Sequence, residues 1–151
     1  MARSPTSITW LPEFIAGSAV SPFTTWNASV RADTRPAGTD SFFPRIAVAR
    51  SGATAAEDQL VAVWQSLAGS GINVTSNIHL SYSANGGMTW LATDLRVNDV
   101  ADSAELPVIA TDGNGRVYIA WRDGRDDEAE VFADVFDTAT GTLAGNQALS
   151  G

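Results

Sequence analysis

One unit of sequence occurs twice in this chain, and that repetition limits the fold more than any other feature. Thr25-Trp26 leads through Val30-Arg31-Ala32-Asp33 to Asp40-Ser41-Phe42-Phe43-Pro44-Arg45-Ile46-Ala47. About 63 residues later, Thr89-Trp90 leads through Leu95-Arg96-Val97-Asn98 to Asp102-Ser103-Ala104-Glu105-Leu106-Pro107-Val108-Ile109-Ala110. Between these, Val61-Ala62-Val63-Trp64-Gln65 answers to Tyr118-Ile119-Ala120-Trp121-Arg122. The spacing of that pair is shorter, as it must be if the loop at 51–58 is longer than Asp112-Gly113-Asn114-Gly115. Each unit reads as four short strands, near 45–49, 60–65, 77–83 and 89–97 in the first and near 108–111, 116–122, 129–136 and 142–149 in the second. The alternation of Val117, Ile119 and Trp121 with Tyr118, Ala120 and Arg122 is the clearest case of a period of two. From Pro36 onward no stretch carries helical periodicity. Residues 1–35 hold further strands, near 7–11 and 25–33, the latter resembling the last strand of a preceding unit.

The turn after the third strand of the first unit is the second constraint. Ile78-His79-Leu80-Ser81-Tyr82 alternates as a strand, and Ser83-Ala84-Asn85-Gly86-Gly87-Met88-Thr89-Trp90 then reverses the chain. The Gly-Gly pair permits positive φ, the Asn85 side-chain oxygen can accept backbone N–H bonds across the turn, and Trp90 can pin the turn onto a core. The string resembles the Asp-box (BNR) repeat of sialidase-like β-propellers, S-x-D-x-G-x-T-W, through Ser83, Gly87, Thr89 and Trp90, with Asn85 in place of the usual Asp. Asp137-Thr138-Ala139-Thr140-Gly141-Thr142-Leu143 occupies the corresponding place in the second unit and resembles a degenerate copy that keeps the Gly and Thr. The resemblance spans about residues 25–143.

The fold it implies is all-β: blade one at 36–98 with the Asp box, blade two at 99–151 with the degenerate box, and an N-terminal extension at 1–35 whose edge strands complete a neighbouring blade. A propeller closes with about four to eight blades. Two four-stranded blades are therefore completed by oligomerisation, a trimer closing six blades being favoured, or belong to a fragment of a six-bladed propeller. An open stack of blades is the third arrangement. In the family the Asp box fastens the rim, away from the catalytic centre, so it speaks to the fold more than to an activity.

Composition narrows the partners. The net charge is −8, and all nine basic residues are Arg, which leaves no basic stripe for a nucleic-acid backbone. Zero Cys excludes disulfides and thiolate metal sites. With 44% hydrophobic residues the chain can build a core, yet no apolar run reaches the length of a membrane span. The N-terminus lacks the apolar region of a signal peptide; the family resemblance nevertheless favours an extracellular or cell-surface setting.

The catalytic set of sialidases of this fold comprises three Arg around a carboxylate, a Tyr–Glu nucleophile pair and an Asp acid–base. Phe43-Pro44-Arg45-Ile46 carries the letters of their first Arg motif in another order, and Arg45 reads as a strand residue. Tyr82 and Tyr118 lie inside alternating strands without a Glu motif. The expectation is a non-catalytic module for glycan or protein recognition or self-assembly, against the alternative of a fragment or subunit of a sialidase-like glycoside hydrolase. Among polar segments, Arg122-Asp123-Gly124-Arg125-Asp126-Asp127-Glu128-Ala129-Glu130 reads as a salt-bridged hairpin. Its functional alternative is a ligand or cation loop in which Asp123, Asp126 and Asp127 offer oxygens to Ca2+. His79, the sole histidine, reads as a surface or channel-lining residue. Trp26, Trp64, Trp90 and Trp121 recur at equivalent places and read as core. Trp10, outside the repeat, is the aromatic expected at an interface or sugar-stacking surface.

Overall fold

The computed structural model describes residues 29–34, 39–70, 73–100, 103–125 and 128–150. The strand near 7–11, Trp10, Trp26, Asp126 and Asp127 lie outside the described residues. Among the described residues there are nine strands: β1 (Asp40–Arg50), β2 (Gln59–Ser70), β3 (Asn73–Ser83), β4 (Leu95–Arg96), β5 (Glu105–Thr111), β6 (Arg116–Asp123), β7 (Glu130–Asp137), β8 (Thr142–Leu143) and β9 (Gln147–Ala148). One 3₁₀ turn, Ala55–Glu57, is the only helical element among the described residues. The all-β expectation therefore holds. β1 to β4 make one antiparallel sheet in sequence order, and β5 to β8 make a second, with β9 also pairing with β7.

Alternation decides which side chains meet. Neighbours along a strand point to opposite faces, so Val61 and Val63 of β2 share a face with Leu80 and Tyr82 of β3, their partners in register. In the second sheet Val117, Ile119 and Trp121 of β6 lie beside Phe136, Asp134 and Phe132 of β7. These two faces close on each other: Val61, Val63, Ile78, Leu80, Val117, Ile119, Trp121, Phe132 and Phe136 form one core, with Tyr82 packed 5.9 Å from Phe136 between ring centroids. Each aliphatic side chain so buried contributes about 1.5–3 kcal/mol. The repeat matches Trp64 to Trp121, yet Trp121 points into this core while Trp64, equally buried, lies outside it and stacks on His79. Both sheets thus present corresponding faces in the same direction. They stack head to tail, not as a mirrored sandwich.

Polar links tie the two sheets at both ends. At one, buried Gln65 donates to Ser76 Oγ, which donates to the Ala104 carbonyl, while Gln65 Oε1 accepts from Leu106 N–H at 3.2 Å. At the other, Gly115 N–H donates to the Ala49 carbonyl and Thr138 Oγ1 donates to Gln59 Oε1. The repeat also extends to strain. Phe43 (φ 50) and Leu106 (φ 55), each preceding a Pro, sit in the left-handed region at register shifts in β1 and β5. That conformation costs roughly 1–2 kcal/mol for an L side chain, and in β5 the Gln65 hydrogen bond holds it.

Sequence expectations change at several places. Residues 29–33, the described part of the strand expected at 25–33, form no strand. The strand expected at 89–97 survives only as Leu95–Arg96, because Thr89 and Trp90 are absorbed into the turn and Leu91 N–H then returns to the Tyr82 carbonyl. The strand expected at 142–149 splits into β8 and β9, because Ala144 and Gly145 turn their N–H groups onto the Asp134 carboxylate.

Candidate functional site

The turn resembling an Asp box is a closed hydrogen-bond system. Ser83, at the end of β3, accepts from Gly87 N–H at 2.9 Å and from Asn85 N–H at 3.3 Å, and donates to Asn85 Oδ1. Asn85 Oδ1 also accepts from Thr89 N–H at 2.9 Å, and its Nδ2 donates to Thr89 Oγ1 at 2.8 Å. Gly86 takes φ 65, its N–H bonded to the Asp58 carbonyl, so the turn is docked on the loop between β1 and β2. A Cβ at Gly86 would stand 2.2 Å from the Ala55 carbonyl oxygen. Trp90 is half-buried over the turn. Ser83, Asn85, Gly87 and Thr89 are thereby brought together. Their donors and acceptors face one another, which makes the cluster a fastener.

Asp123 sits at the end of β6 on the core face, two residues beyond Trp121, so both point the same way. Its carboxylate accepts from Trp121 Nε1 at 2.9 Å, from Arg125 Nε and NH2 at 3.1 and 2.8 Å, and from Arg125 N–H at 3.1 Å. The Arg125 guanidinium lies 3.9 Å over the Phe132 ring and also pairs with Asp99 at 2.9 Å. Burial by itself would raise the Asp123 carboxyl, but hydrogen bonds from Arg125 and Trp121 outweigh it and hold the group below the usual carboxylate range. The same hydrogen bonding, against a smaller cost of burial, raises Arg125. With four donors on its two oxygens, Asp123 is spent on holding the hairpin. A cation reading of this loop rests on Asp126 and Asp127, outside the described residues. Among the described residues no three His, Asp or Glu side chains converge as a metal site.

Asp134 is engaged in the same manner. Its Oδ1 accepts from the N–H groups of Val135, Ala144 and Gly145, and Oδ2 from Asn146 Nδ2. Asn146 reaches the first sheet as well, donating to the Val97 carbonyl and accepting from Asp99 N–H at 2.7 Å. Arg45 is exposed and donates to the carbonyl of its neighbour Pro44. His79 packs on Trp64, ring centroids 6.3 Å apart, on the third strand of its sheet.

Sequence reasoning missed the outward face of the second sheet. Cross-strand rows Ala110–Tyr118–Val135 and Val108–Ala120–Ala133 run across it, with Arg122 and Val131 beyond. Tyr118 is 45% and Val108 54% exposed. Two shallow hollows of about 320 and 430 Å³ flank Val135. The signal was available: the repeat places Tyr118-x-Ala120 where the first unit has Val61-x-Val63, and the latter are fully buried. No helix is long and apolar enough to cross a membrane among the described residues. No family model, curated protein or solved structure matches this chain.

Proposed function

We propose that the two sheets are successive blades of an Asp-box β-propeller and that the chain is a non-catalytic module for binding or scaffolding, through protein or glycan recognition or self-assembly. The observation that carries this reading is the head-to-tail stacking of equivalent sheets, with the second sheet leaving open the face that the first buries completely. A unit so built is extended by further units. The fastened Ser83–Thr89 turn supports the blade assignment. Engagement of Asp123 and Asp134 in structural hydrogen bonds supports the non-catalytic one. Family resemblance favours an extracellular or cell-surface setting. Three copies closing six blades is one arrangement that the count of two allows. The test is an aryl-sialoside and aryl-glycoside hydrolysis panel alongside a glycan array. Absence of turnover is expected; turnover would place the chain with the sialidase-like hydrolases and refute the non-catalytic reading.

A further inference from the structure

Resting on the blade reading above, we infer that the chain associates with itself head to tail: the outward face of the first sheet in one copy covers the outward face of the second sheet in another.

The interface inside the chain is the template. There Ile109, Ile119, Trp121 and Phe132 of the second sheet pack with Val61, Val63, Ile78 and Leu80 of the first. The repeat supplies each of these faces once more, without its mate. On the outward face of the first sheet, Ile46, Ala62, Trp64 and His79 answer to Ile109, Ile119, Trp121 and Phe132, by the matches of Pro44 to Pro107 and Trp64 to Trp121 and by strand register. The match extends to ring geometry. Trp64 stacks on His79 with centroids 6.3 Å apart and planes at 22°, and Trp121 on Phe132 at 6.4 Å and 25°. On the outward face of the second sheet, Tyr118, Ala120, Val131 and Ala133 answer in turn to Val61, Val63, Ile78 and Leu80. Both outward faces are open. Ile46 is 64% exposed, where its counterpart Ile109 packs on the core, and a hollow of about 360 Å³ lies beside Trp64. Tyr118 is 45% exposed, where its counterpart Val61 is wholly buried. The mate that the internal interface specifies for the second of these faces is the first.

Charge at the edge agrees with this docking. Inside the chain, Gln59 accepts from Thr138, and Gly115 N–H nearby donates to the Ala49 carbonyl. Moved on by one sheet, Gln59 becomes Arg116 and Gly115 becomes Asp58, so a guanidinium meets a carboxylate on a loop that also carries Glu57. Residues 31–33 border the hollow beside Trp64. Their counterparts 96–98 run along the second sheet in the same way, with Asn146 bonded to the Val97 carbonyl, so this segment edges the face and does not fill it. Because the two faces differ, the contact is heterologous, and copies close into a ring or extend as a filament. Four strand lanes about 4.8 Å apart and 7 to 8 residues long, at about 3.3 Å per residue, give a face of roughly 500 Å². That is smaller than the roughly 800 Å² per partner of a standard stable interface, so the association is expected near the micromolar range.

The test blocks one face at a time and then mixes the blocked chains. Absolute mass is followed by light scattering and sedimentation of the full chain across nanomolar to high micromolar concentration. The wild-type chain is expected to pass from one copy to two or more copies of the 15.8 kDa chain. Ile46→Asp closes the first outward face, and Val131→Asp with Ala133→Asp the second. Each places carboxylates in a dry interface, should raise the dissociation constant at least about a hundredfold, and should leave that variant monomeric on its own. Mixed one to one, the two variants keep one intact face apiece and should form a species of two copies that grows no further. Val74→Asp, exposed near the far end of β3, should leave the wild-type association unchanged. Circular dichroism and thermal melting confirm that each variant is folded, with Val48→Asp and Tyr118→Arg as replacements where one is not. A wild type that stays monomeric at every concentration, an Ile46→Asp chain that still pairs with itself, or a mixture that does not combine would overturn the inference. Nitration of Tyr82 beside the stacked core and the hydrolysis panel report separately on the blade and non-catalytic readings, so the inference can fail without them.

Discussion

Replacing Arg125 with methionine removes the guanidinium from a carboxylate that is 2% exposed and leaves the aliphatic bulk in place. Asp123 then keeps only Trp121 Nε1 and one backbone N–H as partners for a buried charge. Removing one member of a buried ion pair costs about 3–5 kcal/mol. Arg125 is itself 14% exposed at its side chain, which argues for the lower end. The outer contact to Asp99, whose side chain is 58% exposed, adds no more than about 1 kcal/mol. Loss of the cation over Phe132 adds about 0.5–1 kcal/mol, partly returned by the thioether against the ring. The expected destabilisation is about 3 kcal/mol at pH 7, a fall in melting temperature of roughly 6–12 °C for a domain of this size. Asp123→Asn, which leaves no unpaired charge, should cost less, and urea unfolding of both single variants and the double variant gives their coupling. The folded Asp123 carboxyl is held below its unfolded value. Its contribution is therefore complete above the unfolded carboxyl range near pH 4 and is lost as pH falls through the folded value. The gap between wild type and Arg125→Met should narrow on acidification through that window. An Arg125→Met variant within about 0.5 kcal/mol of wild type at pH 7, or a gap insensitive to acid, would refute this account of the hairpin.

The turn after β3 gives two sharper contrasts. Ser83→Ala deprives the Asn85 and Gly87 N–H groups of their acceptor and should cost about 1–3 kcal/mol in urea unfolding; a neutral result would mean that the cluster fastens nothing. Gly86→Ala must hold φ 65 and place its Cβ against the Ala55 carbonyl, for roughly 3 kcal/mol or more, whereas Gly113→Ala, at φ 75 with open space around it, should cost about 1 kcal/mol in the same assay.

Sequence pattern was a good guide where a local rule decided the structure. The alternation in 116–122 and 129–136 placed β6 and β7 within a residue or two, because a sheet covered on one face imposes a period of two. It failed where a side chain overrode the backbone. Nothing periodic in 142–149 marks the Asp134 carboxylate that draws in Ala144 and Gly145 and ends β8. The β2–β3 hairpin runs to Ser70 and Asn73, well past the strands expected at 60–65 and 77–83, because its small and polar residues pair as a ladder while reading like a loop. The alternating charges of 122–130 suggest a salt-bridged surface hairpin, yet Asp123 is buried and Arg125 nearly so. The burial of Asp123 follows from a fact the alternation already held: Asp123 shares a face with Trp121, whose indole N–H needs a buried acceptor. Conversely, Tyr118 read as one more strand residue, and its role emerges only when the covered and uncovered faces of the two units are compared.

The two tyrosines allow a direct test of that comparison. Tyr82, partly buried, packs against Phe136 at the edge of the stacked core, with its phenol raised by burial, while Tyr118 stands on the open face of the second sheet. Nitration of the full chain at pH 8, mapped by mass spectrometry over a time course, reads both sites at once. The account predicts ready modification of Tyr118 in dilute solution and much slower modification of Tyr82. Equal reactivity of Tyr82 and Tyr118 would contradict the stacking of the sheets.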